Sequence, residues 1–212
     1  MKKILISGFE PFGGDSVNPT ERLIEEISSI SFADAEIKTI LLPVHYDECA
    51  DILLKEMNLY QPDAVIACGV AGGRTAITPE RIAVNIKDIP PEVKITDNRG
   101  AKPQDELIDP NGPDGLFSTL PIRSMVTRLK EVGIPATVSN TAGTYICNNT
   151  MYAVLNEIRM RQHKTIGGFV HFPASTEMAV EKPSLPTLSH EMMLNGLRII
   201  IQTTIDQLIE HS

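Results

Sequence analysis

Residues 64–68, Ala-Val-Ile-Ala-Cys, are apolar at every position and run straight into Gly69-Val70-Ala71-Gly72-Gly73. A strand with no polar alternation offers no face to water, so it belongs inside a sheet covered on both sides. The rest of the chain supplies the covers. Short apolar runs at 3–7, 36–42, 136–139 and 166–171, with an alternating run at 82–86, read as further strands. Between them, apolar residues recur at helical spacing over 19–30, 47–59, 122–132, 147–161 and 189–211. Asn18 ahead of Pro19 is an N-cap followed by proline at the first helical position. This alternation predicts an α/β fold: a three-layer α/β/α sandwich on a mostly parallel central sheet, built as a single domain over 1–212. Two runs break the rhythm, 88–121 and 173–186, and residues 93–96 inside the first read as a short edge strand. In such folds ligands bind at the carboxyl edge of the sheet.

Composition narrows the function classes. A net charge of -8 without a run of Lys or Arg argues against nucleic acid and against anionic membranes. No segment approaches the length of a membrane span. The apolar run at 4–6 stops at Ser7-Gly8, too short for a secretion signal. Three cysteines, Cys49, Cys68 and Cys147, show neither disulfide-framework nor zinc spacing. A cytoplasmic location and no metal or cofactor are the expectation.

The chemistry concentrates at a few positions. Cys147 lies where the 134–139 strand runs out and a helix begins, facing unpaired N–H groups and the positive end of a helix dipole. That placement predicts a thiol pKa below the free value of about 8.5 and a nucleophilic role. The alternative is a small buried hydrophobe. Cys49, mid-helix, reads as core, and Cys68 as packing. Of five histidines, His171 ends the 166–171 strand and is the candidate base. His45 is a weaker rival, while His163, His190 and His211 read as surface. Glu80 is the candidate acid that orients the imidazole. Its simpler reading is a helix cap, or a pair with Arg81 or Arg74, but the alternation of Ile82, Val84 and Ile86 favours a strand. In the first glycine loop, Gly8-Phe9-Glu10-Pro11-Phe12-Gly13-Gly14, the two phenylalanines either grip a flat apolar ligand or fold back as core. The loop matches no nucleotide-binding pattern.

Together these segments resemble the pyroglutamyl-peptidase I family, also called pyrrolidone-carboxylate peptidases. The resemblance rests on 8–14 with Asn18-Pro19, on Ala71-Gly72-Gly73-Arg74, on 77–85, on 139–148 and on Gly168-Phe169-Val170-His171, in family order. It implies a phosphorylase/hydrolase-like fold and a cysteine exopeptidase that removes N-terminal pyroglutamate from peptides. Cys147 would be the nucleophile, His171 the base and Glu80 its orienting acid. Phe9 and Phe12 would hold the lactam ring, with the backbone near Val70 meeting its N–H and C=O and Asn18 counted among the substrate-site residues. It also implies a cytoplasmic homo-oligomer, tetramer or dimer, without metal or cofactor. The chain departs from the family at Val70, where glutamine is common. It departs again at 88–98, which is longer than usual and has no arginine after Asp88. Lys87, Lys94 and Arg99 are the cations nearest that gap. Two rival readings follow: a nucleoside phosphorylase-like enzyme with phosphate at Gly72-Gly73-Arg74, and a pyroglutamyl-peptide-binding relative that no longer turns over.

Overall fold

A computed structural model describes every residue except His163, Glu181 and Ser212, so the surface expectation for His163 lies outside the described residues. In chain order the elements are β1 (Lys2–Phe9), α1 (Pro19–Ile27), β2 (Ala35–Leu42), α2 (Tyr46–Tyr60), β3 (Ala64–Val70), β4 (Thr78–Pro79), β5 (Ile82–Val84), β6 (Gly115–Phe117), α3 (Ile122–Glu131), α4 (Ile146–Arg161), β7 (Ile166–Phe172), β8 (Ala174–Ser175), β9 (Thr187–Leu188) and α5 (His190–Glu210). The central sheet runs β2-β1-β3-β7-β4. Its first four strands are parallel, and β4 is antiparallel to β7.

Strand alternation sorts the core into two layers. Ile4, Ile6, Ile66, Cys68, Val170 and Phe172 face one side, packed by α1, α3 and α5. Leu5, Phe9, Val65, Ala67 and Phe169 face the other, packed by α2 and α4. Helices therefore cover both faces, which is why β3 and β7 carry no polar alternation. Each fully buried Ile or Leu contributes about 1.5–3 kcal/mol to this arrangement. Asn18 caps α1 as expected, accepting from the Thr20 N–H at 3.1 Å.

Three sequence expectations change here. Residues 136–139 do not form a strand; they touch residues 77–80 only through isolated bridges. The rungs on either side exist: Ile77 N–H to the Pro135 carbonyl, Thr137 N–H to Ile77, Ser139 N–H to Pro79 and Arg81 N–H to Ser139. The rung between them requires an N–H on residue 79, which is proline, so the ladder is interrupted. Residues 93–96 are not an edge strand; the Lys102 ammonium gathers the Pro91 and Val93 carbonyls instead. The strand expected over 82–86 stops at Val84 because the Asn148 side chain takes over, binding Val84 N–H and the carbonyls of Val84 and Ile86. The short strands β6 and β8 lie in the two runs that read as irregular, and β9 directly follows the second.

Candidate active site

The carboxyl ends of β3 and β7 meet Glu80 and the start of α4. His171, the penultimate residue of β7, pairs in register with Gly69 of β3 and with Thr78 of β4. The Glu80 N–H donates to the Phe169 carbonyl at 2.9 Å, which fixes Glu80 beside β7. From there Glu80 Oε1 lies 2.7 Å from His171 Nδ1. Both residues are buried. An ionised carboxylate only accepts, so Nδ1 carries the proton and Nε2 is the free acceptor. Arg74 Nη1 donates to the same Oε1 at 2.7 Å. Burial alone would raise the Glu80 carboxyl, but His171, with help from Ser139 and Arg74, holds it below its ordinary value. Burial lowers His171, and the Glu80 carboxylate works against that lowering.

Cys147 is the second residue of α4, whose N-terminus has no side-chain cap. Its sulfur reaches the Gly69 position: a Cβ there would stand 3.0 Å from Cys147 Sγ and 2.7 Å from the Phe169 ring. Only glycine leaves that room. The Phe169 ring in turn lies 4.8 Å from the His171 ring, centroid to centroid. The thiol, the imidazole and the carboxylate thus share one face and one edge of the sheet. The expected low thiol pKa is not found. Burial pushes the Cys147 thiol up to about 12, with Cys49 and Glu80 adding to the rise; Arg74 and the residue's own N–H only partly oppose it. Cys147 keeps part of its surface exposed, yet desolvation of its sulfur outweighs the helix terminus. We expect iodoacetamide to alkylate the ligand-free protein slowly, with a rate that climbs roughly tenfold per pH unit from pH 7 to 9. A plateau already reached below pH 7 would mean a preformed thiolate and contradict this.

The other two thiols, His45 and His190 have structural occupations. Cys49 is fully buried beside Thr150 Oγ1 at 3.3 Å. Cys68 is buried on the opposite face of the sheet from Cys147. His45 caps α2 by accepting the Glu48 N–H, and His190 pairs with Glu26. His211 is exposed at the end of α5.

The first glycine loop splits its phenylalanines. Phe9 is buried, its ring 6.5 Å from that of Phe169, while Phe12 is partly exposed and 6.0 Å from the Tyr145 ring. The Asn18 amide is occupied by the loop itself: it donates to the Glu10 carbonyl and accepts from Thr20. Val70 closes β3, half-buried, in register with Phe172. The long 88–98 stretch is stitched over this loop. Asn98 donates to Glu10 Oε1 and the Pro11 carbonyl, and Tyr145 Oη donates to the Thr96 carbonyl. Lys87 is committed to Glu106 and the Tyr46 ring, and Arg99 to Glu48. Lys94 lines the cleft beside Gly13 and Gly14.

A sequence model of the family described as Pyroglutamyl peptidase matches residues 2–207. The chain belongs to the pyroglutamyl peptidase family. It is 41% identical over 204 residues to the pyrrolidone-carboxylate peptidase of Streptococcus suis, covering 96% of this chain and 93% of the relative. It is 39% identical over 211 residues to that of Pyrococcus furiosus, covering 98% and 100%. The crystal structure of pyroglutamyl peptidase I from Bacillus amyloliquefaciens superposes with a TM-score of 0.90 at 37% identity, covering 96% of this chain and 95% of that one. Within this pyroglutamyl peptidase, one residue near the site escaped sequence reasoning and another was read only in part. Asn148, adjacent to Cys147, locks the start of α4 to β5; a buried asparagine pair at a helix start was the available signal. Arg74 was read as one possible partner of Glu80 and as part of a possible phosphate site. Its guanidinium is turned onto Glu80 and Thr78 rather than toward an open phosphate site.

Proposed function

We propose that this chain hydrolyses the amide bond after an N-terminal pyroglutamyl residue through Cys147, His171 and Glu80. The observation that carries the reading is the buried Glu80–His171 hydrogen bond beside Gly69, the glycine against which Cys147 Sγ rests. His171 Nε2 takes the Cys147 proton as the sulfur attacks the pyroglutamyl carbonyl. Glu80 stabilises the imidazolium that forms. N–H groups at the uncapped start of α4 receive the oxyanion. As the tetrahedral adduct collapses, the C–N bond breaks and the leaving amine takes the proton from His171. A water, deprotonated by His171, then attacks the thioester, releasing pyroglutamate and restoring the thiol. The neutral resting thiol suits this order, because proton transfer accompanies attack instead of preceding it.

Phe12 is the accessible wall for the lactam ring, with Phe9 behind it against Phe169, and the Val70 backbone supplies polar contacts. Asn18 serves the substrate by holding the loop that bears both rings. We further propose a cytoplasmic homo-oligomer, tetramer or dimer. Three free thiols suit a reducing compartment. Among the described residues no helix is long and apolar enough to cross a membrane.

The test is release of a fluorophore from a pyroglutamyl amide compared with the prolyl amide. Proline lacks the lactam carbonyl, so a site donor would stay unpaired, and discrimination of about 10⁴ in kcat/KM is expected. Comparable turnover of the two, or none of either, would contradict the assignment.

A further inference from the structure

Arg74 bridges three segments of the site. Its Nη1 donates to Glu80 Oε1 at 2.7 Å and to Thr78 Oγ1 at 2.6 Å, and its Nη2 donates to the Thr141 carbonyl at 3.2 Å. It thereby joins the loop after β3, the short β4 and the loop that leads into α4 and Cys147. Glu80 needs such a partner. It is completely buried, Oε1 receives both His171 and Arg74, and Oε2 has no hydrogen-bond partner. The Ser139 hydroxyl beside it also favours the ionised carboxyl, but it brings no charge and donates to the Thr141 carbonyl. A buried carboxylate facing only a neutral imidazole would be an uncompensated charge, which proteins avoid by taking up a proton. The half-buried guanidinium supplies the countercharge at hydrogen-bonding distance.

We propose that Arg74 is a positioning residue for the peptidase reaction: it keeps Glu80 ionised and aimed at His171 Nδ1, so that His171 presents a neutral Nε2 to the Cys147 thiol. The proposal rests on the triad reading given above. Arg74 does not touch the reacting atoms; it acts through Glu80.

The sign of its effect is fixed by charge. A cation beside the cluster disfavours protonation of every group in it. The charges that act on His171 are those of Glu80 and Arg74. Those that act on Cys147 come from Cys49, Glu80 and Arg74. Arg81, the other cation on this segment, is turned outward to Asn140. Without Arg74, Glu80, His171 and Cys147 all hold their protons more tightly. The reaction starts when neutral His171 accepts the thiol proton, so the acid limb of kcat/KM must move to higher pH.

The experiment compares the native protein, Arg74→Met, Arg74→Lys and Cys147→Ser on a pyroglutamyl fluorogenic amide from pH 5 to 9. For Arg74→Met we expect kcat to fall about 10- to 100-fold, KM to change by less than about threefold, and the acid limb to rise by about one pH unit. Arg74→Lys keeps the charge and loses the fork geometry. It should keep the native acid limb while recovering part of kcat. An Arg74→Met protein with native kcat and acid limb overturns the proposal. So does an Arg74→Lys protein whose limb shifts, and this arm stands even if Arg74→Met does not fold. A loss in both variants with no change of limb would mark Arg74 as a mere structural brace and also overturns it. Residual full activity in Cys147→Ser would instead overturn the triad reading itself.

Discussion

Glu80→Gln is expected to lower kcat on a pyroglutamyl amide about 10³- to 10⁴-fold while leaving KM near its native value. Gln is close to Glu in shape, so its carbonyl can still accept from His171 Nδ1 across the present 2.7 Å. What disappears is the negative charge that stabilises the imidazolium once His171 has taken the thiol proton. In a fully buried site that loss is not softened by water. The Arg74 guanidinium loses only its anionic partner; it keeps Thr78 and the Thr141 carbonyl and is partly exposed to solvent. The fold should therefore survive, and circular dichroism with a thermal melt checks that the defect is chemical. A Gln variant within tenfold of native kcat would remove Glu80 from the reaction.

Cys147→Ser should be the most damaging single change, with turnover reduced by about 10⁴-fold or more. The serine hydroxyl is far harder to deprotonate than the thiol, and its shorter bond to carbon withdraws the nucleophile from the substrate. The Gly69 gap that receives the sulfur accepts the smaller oxygen without strain, so the variant should fold and still bind pyroglutamyl peptides. Binding titration alongside activity separates the two effects. Unchanged binding with no turnover is the expected pair of results.

Much of the fold is legible from single segments because each central strand carries its burial in its own residues. Ala64–Val70 is apolar throughout and could only be an interior strand, and Asn18-Pro19 marks the start of α1 without help from elsewhere. What escaped depends on partners distant in sequence. The missing rung at Pro79 turns a strand at 136–139 into isolated bridges. The Asn148 side chain ends β5 early from 64 residues away. The strand β6 pairs with β5 across a proline-rich run that offers no periodicity of its own.

The site divides in the same way. Cys147 and His171 stood out as candidates because each lies where an element ends or begins, and ends of elements are where a parallel sheet gathers its chemistry, while Glu80 was a candidate through the resemblance of its segment. The electrostatics were not identifiable. The helix start at Cys147 argued for a lowered thiol pKa, whereas burial of the sulfur beside Gly69 of β3 pushes it up. The two phenylalanines of one loop met different fates, since Phe9 belongs to the face of β1 that packs under α2 and α4. Arg74 became important only once β4 brought Glu80 beside it.

The central claim is that a pyroglutamyl group and the Cys147 sulfur meet at the edge where β3 and β7 end. A pyroglutamyl chloromethyl ketone tests it most directly, because it is held as substrate and alkylates whatever nucleophile lies at the carbonyl. Inactivation should track incorporation of one label per chain, and peptide mapping should place that label on Cys147. Inactivated protein labelled at Cys49, Cys68 or another residue, with the Cys147 thiol intact, would contradict the account.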